Sequence, residues 1–315
     1  EGFQNSMANE FIELIQGEYV VLDGAFGTIL QARGHTPDQL PEEWNITRPE
    51  VVRDIHLQYF DAGAQIVTTN TFGASPLKLG MRGKEKLTEE VNRRGVQLVR
   101  EALHAFRNME GIPPEVRKDR RFIAGSFGPC GKMLGMELGP DVIEKSVLAQ
   151  GEVLADEGVD LFMVETMMDL SEAEFVVKTL KSSFPVPLIA SMVFNRTKEG
   201  SYRTLFGDTV ADAVHRLVAA GADAVGTNCG PIGQYIEVIG EMRALTDIPL
   251  VLYPNAGIPK LKGDKTIFKV TSEELIRELD AALLAGASII GGCCGTTPEY
   301  IRLLSERIKH RKRMT

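Results

Sequence analysis

The sequence has no apolar run long enough to cross a membrane as a helix. Its longest uncharged stretch, Ala281 to Pro298, is broken by Gly286, Gly291, Gly292 and Gly295, and reads as a helix end, a buried strand and a glycine loop. It also lacks a secretory signal, because residues 1–20 carry Glu1, Glu10, Glu13 and Glu18 with no basic leader and no apolar core. Positive charge is not in excess: 35 Lys and Arg against 43 Asp and Glu give a formal net charge of −8, so no broad field attracts a phosphate backbone. The one dense basic run, Lys309-His310-Arg311-Lys312-Arg313, follows an apolar helical pattern and suits the last turn of a helix. Neither nucleic acid nor membrane is an expected partner, and a cytoplasmic protein is expected. Histidine is scarce, and His35, His56, His104, His215 and His310 show no metal-ligand spacing.

What is present is ordinary globular material, 315 residues with 43% apolar and 25% charged. At about 150 residues per domain the length suggests two domains, yet single α/β barrels run to about 250 residues or more, so the pattern must decide. No linker rich in Pro, Gly and Ser divides the chain, and the polar stretch Arg107 to Arg120 reads as a long loop. Glu1 to Ser6 precede Met7 and read as an expression scar, leaving 7–315 as a single domain.

Four segments share one grammar, a helix-like stretch, a glycine and an immediate apolar run: Asp61-Ala-Gly-Ala-Gln-Ile-Val, Asp156-Glu-Gly-Val-Asp-Leu-Phe, Ala219-Ala-Gly-Ala-Asp-Ala-Val and Leu284-Ala-Gly-Ala-Ser-Ile-Ile. Glycine just past a helix end adopts the left-handed conformation freely, and a short apolar run suits a strand covered on both faces. Strands are expected near 19–23, 65–69, 121–126, 161–165, 187–193, 224–229, 249–254 and 287–292. Between them lie helical patterns such as Pro49 to Ala62, and Glu273 to Leu284 after an N-cap at Thr271 or Ser272. Eight alternating units in one α/β chain predict a (β/α)8 TIM barrel.

Barrels of this class carry their chemistry on the segments that follow strands. All four cysteines, Cys130, Cys229, Cys293 and Cys294, fall there, so barrel closure brings them to one rim. Adjacent Cys293 and Cys294 are poor disulfide partners, and a cytosolic chain keeps its thiols reduced. Three thiolates suit zinc with one position left for substrate. Three other readings remain open: cysteines buried as small hydrophobes, a phosphate loop at Gly291 to Gly295, and a redox-sensitive vicinal dithiol. Glu165 ends an apolar strand, where a carboxylate needs a partner, either a structural ion pair or a substrate amine. Asp23 ends another, as a substrate contact or as a turn aspartate supporting Gly24.

Asp23-Gly-Ala-Phe-Gly-Thr28, Pro41-Glu-Glu-Trp-Asn45, Thr69-Asn-Thr-Phe-Gly-Ala74, Glu165-Thr166, Thr227-Asn-Cys-Gly230, Pro254-Asn-Ala-Gly257 and Gly291-Gly-Cys-Cys-Gly295 together resemble the homocysteine S-methyltransferase family, from about residue 18 to 308. Thr-Asn-Thr-Phe-Gly and Pro-Asn-Ala-Gly are most similar to the N-terminal homocysteine-binding module of cobalamin-dependent methionine synthases. Cys130 and the segment Ala190 to Phe194 depart from that pattern.

The resemblance implies that Cys229, Cys293 and Cys294 bind Zn2+ and that the sulfur of L-homocysteine takes the fourth position. Asp23, Gly24, Thr69, Asn70, Glu165 and Asn228 would hold the amino acid, and Asn255 would occupy or border the open metal position. It further implies SN2 methyl transfer giving methionine. The donor would be methylcobalamin or another methylcorrinoid on another domain or protein, because no corrinoid-binding Asp-x-His-x-x-Gly segment occurs here. Two alternatives are a stand-alone enzyme using betaine, S-methylmethionine or S-adenosylmethionine, and a module that presents homocysteine without turnover.

Overall fold

The computed structural model of the chain describes residues 2–131, 138–262, 265–309 and 311. Its barrel strands are β1 (Val20–Val21), β2 (Ile66–Thr68), β3 (Phe122–Phe127), β4 (Leu161–Met167), β5 (Leu188–Met192), β6 (Ala224–Pro231), β7 (Leu250–Asn255) and β8 (Ile289–Ile290). Each falls within or beside an expected run. Gly63, Gly158, Gly221 and Gly286, the glycines of the repeated grammar, all have positive φ and turn the chain from a helix into β2, β4, β6 and β8.

The sheet runs β1-β8-β7-β6-β5-β4-β3-β2 with every pair parallel. Leu22 bridges to Ile66, and hydrogen bonds from Gln65 N to Val21 O (2.7 Å) and from Asp23 N to Ile66 O (3.0 Å) join the two end strands. The expected eight-stranded barrel is thus present. Side chains alternate along each strand: Val21, Val67, Ile123, Phe162, Leu188, Val225, Leu252 and Ile290 pack outward against the helices. Val20, Leu22, Ile66, Phe122, Ala124, Leu161, Met163, Ile189, Ala224, Val251 and Ile289 fill the interior.

Helix Gly2–Gly17 begins within the stretch set aside as a scar and ends on the barrel floor, where Phe11, Leu14 and Ile15 join the interior cluster and Phe11 meets Phe122 edge-on at 5.3 Å. The helix expected over 273–284 is split into Ser272–Arg277 and Leu279–Ala285 by a tighter bond from Glu278 N to Leu275 O. Thr271 is its N-cap in a reciprocal pair with Glu274. The expected loop 107–120 contains one short helix, Pro114–Arg117. The last helix, Pro298–Ile308, stops before the basic run. Arg311 of that run reaches Asp280 at 2.5 Å, whereas His310, Lys312 and Arg313 lie outside the described residues. Among the described residues no helix is long and apolar enough to cross a membrane.

Strand β8 lies flush against the end of β1. A Cβ on Gly291 would stand 2.5 Å from Asp23 O, a backbone atom that cannot move without opening the seam. Gly291→Ala is therefore expected to destabilise the protein by about 3 kcal/mol, read as a lowered denaturant midpoint; an unchanged midpoint would show that the seam yields.

Candidate functional site

The alternation that fills the barrel continues above the apolar layers and changes chemistry. Two residues beyond Ile66, Ala124, Met163 and Ile189 come Thr68, Ser126, Glu165 and Ser191; four beyond Ala224 and Ile289 come Asn228 and Cys293. The top inner layer is thus polar and largely cut off from water, so its groups must satisfy one another. Thr68 donates from its backbone N (2.7 Å) and Oγ1 (2.9 Å) to Asp23 Oδ2, and Tyr253 OH donates to Asp23 Oδ1 at 2.9 Å. Ser126 Oγ donates to Glu165 Oε1 at 2.6 Å. Burial pushes both carboxyls up, Asp23 to about 7 against the lowering bonds from Thr68 and Tyr253. For Glu165 the value is about 8, with the charges of Asp23 and Cys229 adding to burial and the Ser126 bond opposing it.

Above this layer opens a cavity of about 330 Å3, walled by Gly24, Thr69, Asn70, Glu165, Cys229, Cys293 and Cys294 among the expected residues. Asp23, Asn228 and Asn255 stand behind the wall. Asn70 is tied down, its Nδ2 donating to Pro41 O (2.7 Å) and Asn45 Oδ1 (2.9 Å). Residues to which the sequence assigned no site role also line it: Thr68, Ser126 and Tyr253, and from the quoted motifs Thr166, Glu42 and Phe72. Ser126 was within reach, since period-two counting from Ala124 finds it. Cys130 is not part of this wall; its backbone N–H donates to Glu172 Oε1 at 2.6 Å.

The sulfurs of Cys229, Cys293 and Cys294 lie within 4.8 Å of one another, the one such group of potential metal ligands among the described residues. Tetrahedral zinc with sulfur at about 2.3 Å sets its sulfurs about 3.8 Å apart. The Cys293–Cys294 separation is 4.0 Å, close to that spacing, and the whole set lies within 4.8 Å, so the donor set fits such an ion. All four cysteines are free thiols. Hydrogen bonds from the other two thiols hold Cys229 below the usual thiol range, while the same contacts and burial hold Cys293 above it. Asn255 reaches the Cys229 sulfur, and its own buried Oδ1 has no partner among the described residues, which leaves a hard donor beside the three soft ones.

A family model described as homocysteine S-methyltransferase matches residues 20–308. The chain belongs to the homocysteine S-methyltransferase family. Among curated relatives it is 29% identical to a methionine synthase of Mycobacterium tuberculosis over 320 residues, covering 96% of this chain and 26% of that protein. The Mycobacterium leprae methionine synthase is 30% identical over 319 residues, covering 95% and 25%. The chain therefore spans about a quarter of the length of these relatives. The metallated form of the homocysteine methyltransferase MmuM from Escherichia coli superimposes with a TM-score of 0.77 at 28% identity, over 92% of this chain and 96% of that one. The family's match takes in every strand of the barrel and all three clustered thiols.

A larger cavity, about 940 Å3, opens at the opposite end of the barrel around Arg120, Arg121 and Arg302. Arg121 there donates to the carbonyls of Phe60 and Ala64 that close helix Pro49–Asp61, and Arg302 pairs with Asp61 at 2.9 Å. Those groups serve stability, in keeping with the division of labour between the two ends of this fold.

Proposed function

We propose that this chain, as one barrel domain of residues 7–315, activates L-homocysteine and methylates its thiol to give methionine. The donor would be a methylcorrinoid such as methylcobalamin, carried by another domain or protein. The observation that carries the reading is the juxtaposition, in one cavity, of three convergent thiols and a buried carboxyl with no cationic partner among the described residues. Cys229, Cys293 and Cys294 would hold Zn2+. When bound there, zinc favours the thiolate form of an incoming thiol, whose free pKa of ~8.5 leaves it mostly protonated at pH 7. Three cysteinate donors around a dication would keep such a centre at net −1, so electron density would stay on the nucleophilic sulfur.

The chain's own residues supply the rest. Glu165, neutral in the empty site at pH 7, gives up its proton when an ammonium arrives and then holds the amino group, with Ser126 fixing its orientation. Asp23 anchors Thr68 and Tyr253 and so sets the wall beside Gly24 and Thr69. Asn255, whose side chain reaches the Cys229 sulfur and whose Oδ1 is unpaired among the described residues, would border the open metal position. Phe26 and Phe72 line the same cavity as the thiols, and an in-line approach of the donor requires that this wall leave the sulfur accessible. Four free thiols accord with the reducing cytoplasm.

The test is methionine formation by the zinc-loaded chain with methylcobalamin, S-methylmethionine, betaine and S-adenosylmethionine offered separately. Methionine chiefly from methylcobalamin is expected. Methionine only from a sulfonium or betaine would replace the donor with that of a complete stand-alone enzyme, a reading favoured by the overlap with nearly all of MmuM. Tight homocysteine binding without methionine from any donor would reduce the chain to a presenting module.

A further inference from the structure

Strict alternation places Asn228 inside the barrel and would turn the next residue, Cys229, outward into the helical layer. Its sulfur nevertheless reaches the cavity. The reason is a β-bulge: the pairing of β6 with β7 shifts between Asn228 and Pro231. A second bulge shifts β4 against β5 between Val164 and Met167, around Glu165 and Thr166. Each holds a non-glycine residue in left-handed backbone, Cys229 at φ 70° and Thr166 at φ 58°, the two such residues in the described chain. Conformations of this kind are costly and persist only where the surroundings enforce them. The β-branched Thr166 is the more strained of the two.

One side chain reaches both bulges. Asn228, fully buried on β6, accepts at Oδ1 from Thr166 N (2.9 Å) on β4 and from Ser191 Oγ (2.8 Å) on the intervening β5. Its Nδ2 donates to Thr166 Oγ1 at 2.7 Å and lies 4.0 Å from Cys293 Sγ. These bonds cross three strands and occupy both lone pairs of Oδ1 and one N–H, the other N–H faces Cys293 Sγ, and the side chain is not part of the cavity wall. We infer that Asn228 is a positioning residue rather than a homocysteine contact: it clasps the β4 bulge that presents Glu165 and anchors the β6 bulge that turns Cys229 inward, so metal site and amino-acid site are held by one amide. The inference rests on the function proposed above. It adds that the two sites are energetically coupled through this clasp, each ligand steadying the geometry the other needs.

Asn228→Ala and Thr166→Gly, alone and combined, test it, with zinc affinity by competition against a chromogenic chelator and homocysteine affinity by calorimetry measured separately. Asn228→Ala should weaken zinc about 10- to 100-fold, as loss of a group supporting metal ligands does. Homocysteine should weaken by about tenfold or more even with zinc saturating. Glycine takes positive φ without strain but removes the Oγ1 that accepts from Asn228 Nδ2, so Thr166→Gly alone should weaken both ligands less than Asn228→Ala does. In the double variant it should restore most of the homocysteine affinity and little of the zinc affinity, a split that a general loss of stability does not produce. If Asn228→Ala does not fold, recovery of folding by Thr166→Gly is the same result read through stability. Parent-like affinities in Asn228→Ala, or no recovery by Thr166→Gly, would overturn the clasp. A parent that binds zinc but not homocysteine would sink the proposed function instead, leaving the clasp to be judged on zinc affinity and on the recovery of stability by Thr166→Gly.

Discussion

Cys294→Ala is expected to lose stoichiometric zinc and to form methionine at least about 10³-fold more slowly than the parent, while the barrel stays folded. The side chain is only partly buried at the rim, so its truncation opens no deep core cavity. Two remaining thiols hold zinc far less well than three, because each missing ligand must be replaced by water or by a harder donor such as Asn255. Without the ion an incoming thiol keeps its own pKa of ~8.5 and is only about 3% thiolate at pH 7, and it also loses its fixed position. Elemental analysis, circular dichroism and methionine formation on the same preparation decide the matter. A variant that keeps one zinc per chain and parental turnover would remove Cys294 from the centre and reopen the buried-hydrophobe and dithiol readings.

Glu165→Gln is expected to separate function from stability in opposite directions. The folded carboxyl titrates near pH 8 against 4.5 for an unperturbed group, chiefly because it is buried. Between those values the folded state binds more protons than the unfolded one, so this group's contribution is fully retained below about pH 4.5 and stability falls as pH rises toward 8. Glutamine never ionises and can still accept from Ser126 Oγ. The substrate-free variant should therefore be more stable than the parent at pH 8–9, by roughly 4 kcal/mol from the linkage alone, with the difference vanishing near pH 4.5. Homocysteine affinity should fall about 100-fold, since a neutral amide cannot offset a buried ammonium. Denaturant midpoints across pH and calorimetric titration with homocysteine check both halves. Equal stability at all pH values would show that Glu165 is already charged and paired in the empty site, and unchanged affinity would assign the ammonium to another group.

Much of this was legible in the chain itself. The helix, glycine and apolar-run grammar marks its strands because two local requirements, a left-handed helix stop and a doubly covered strand, leave direct traces in residue type. The polar and cysteine-bearing segments after those strands were legible for the same reason. Helix boundaries were less so: the break at Glu278 depends on a backbone bond to Leu275 that no residue type announces. Nor does local pattern reveal that helix Gly2–Gly17 closes the barrel floor, a contact between Phe11 and Phe122 more than a hundred residues apart in the chain.

The division is sharpest at the site. Sequence determined which groups are available: three thiols, two strand-end carboxylates and the amides of Asn228 and Asn255, each near or just past the C-terminal end of a strand. Only the closed barrel decided which of them face the cavity. Asn228 reads from its motif as a ligand contact, yet its side chain is consumed by Thr166 and Ser191; Cys229 reads as outward by alternation, yet a bulge turns it in. Alternation is a property of one strand and can be counted along the chain. A bulge and the side chain that holds it are a bargain between strands tens of residues apart, and strained backbone at Thr166 and Cys229 is stable only when all three strands are in place.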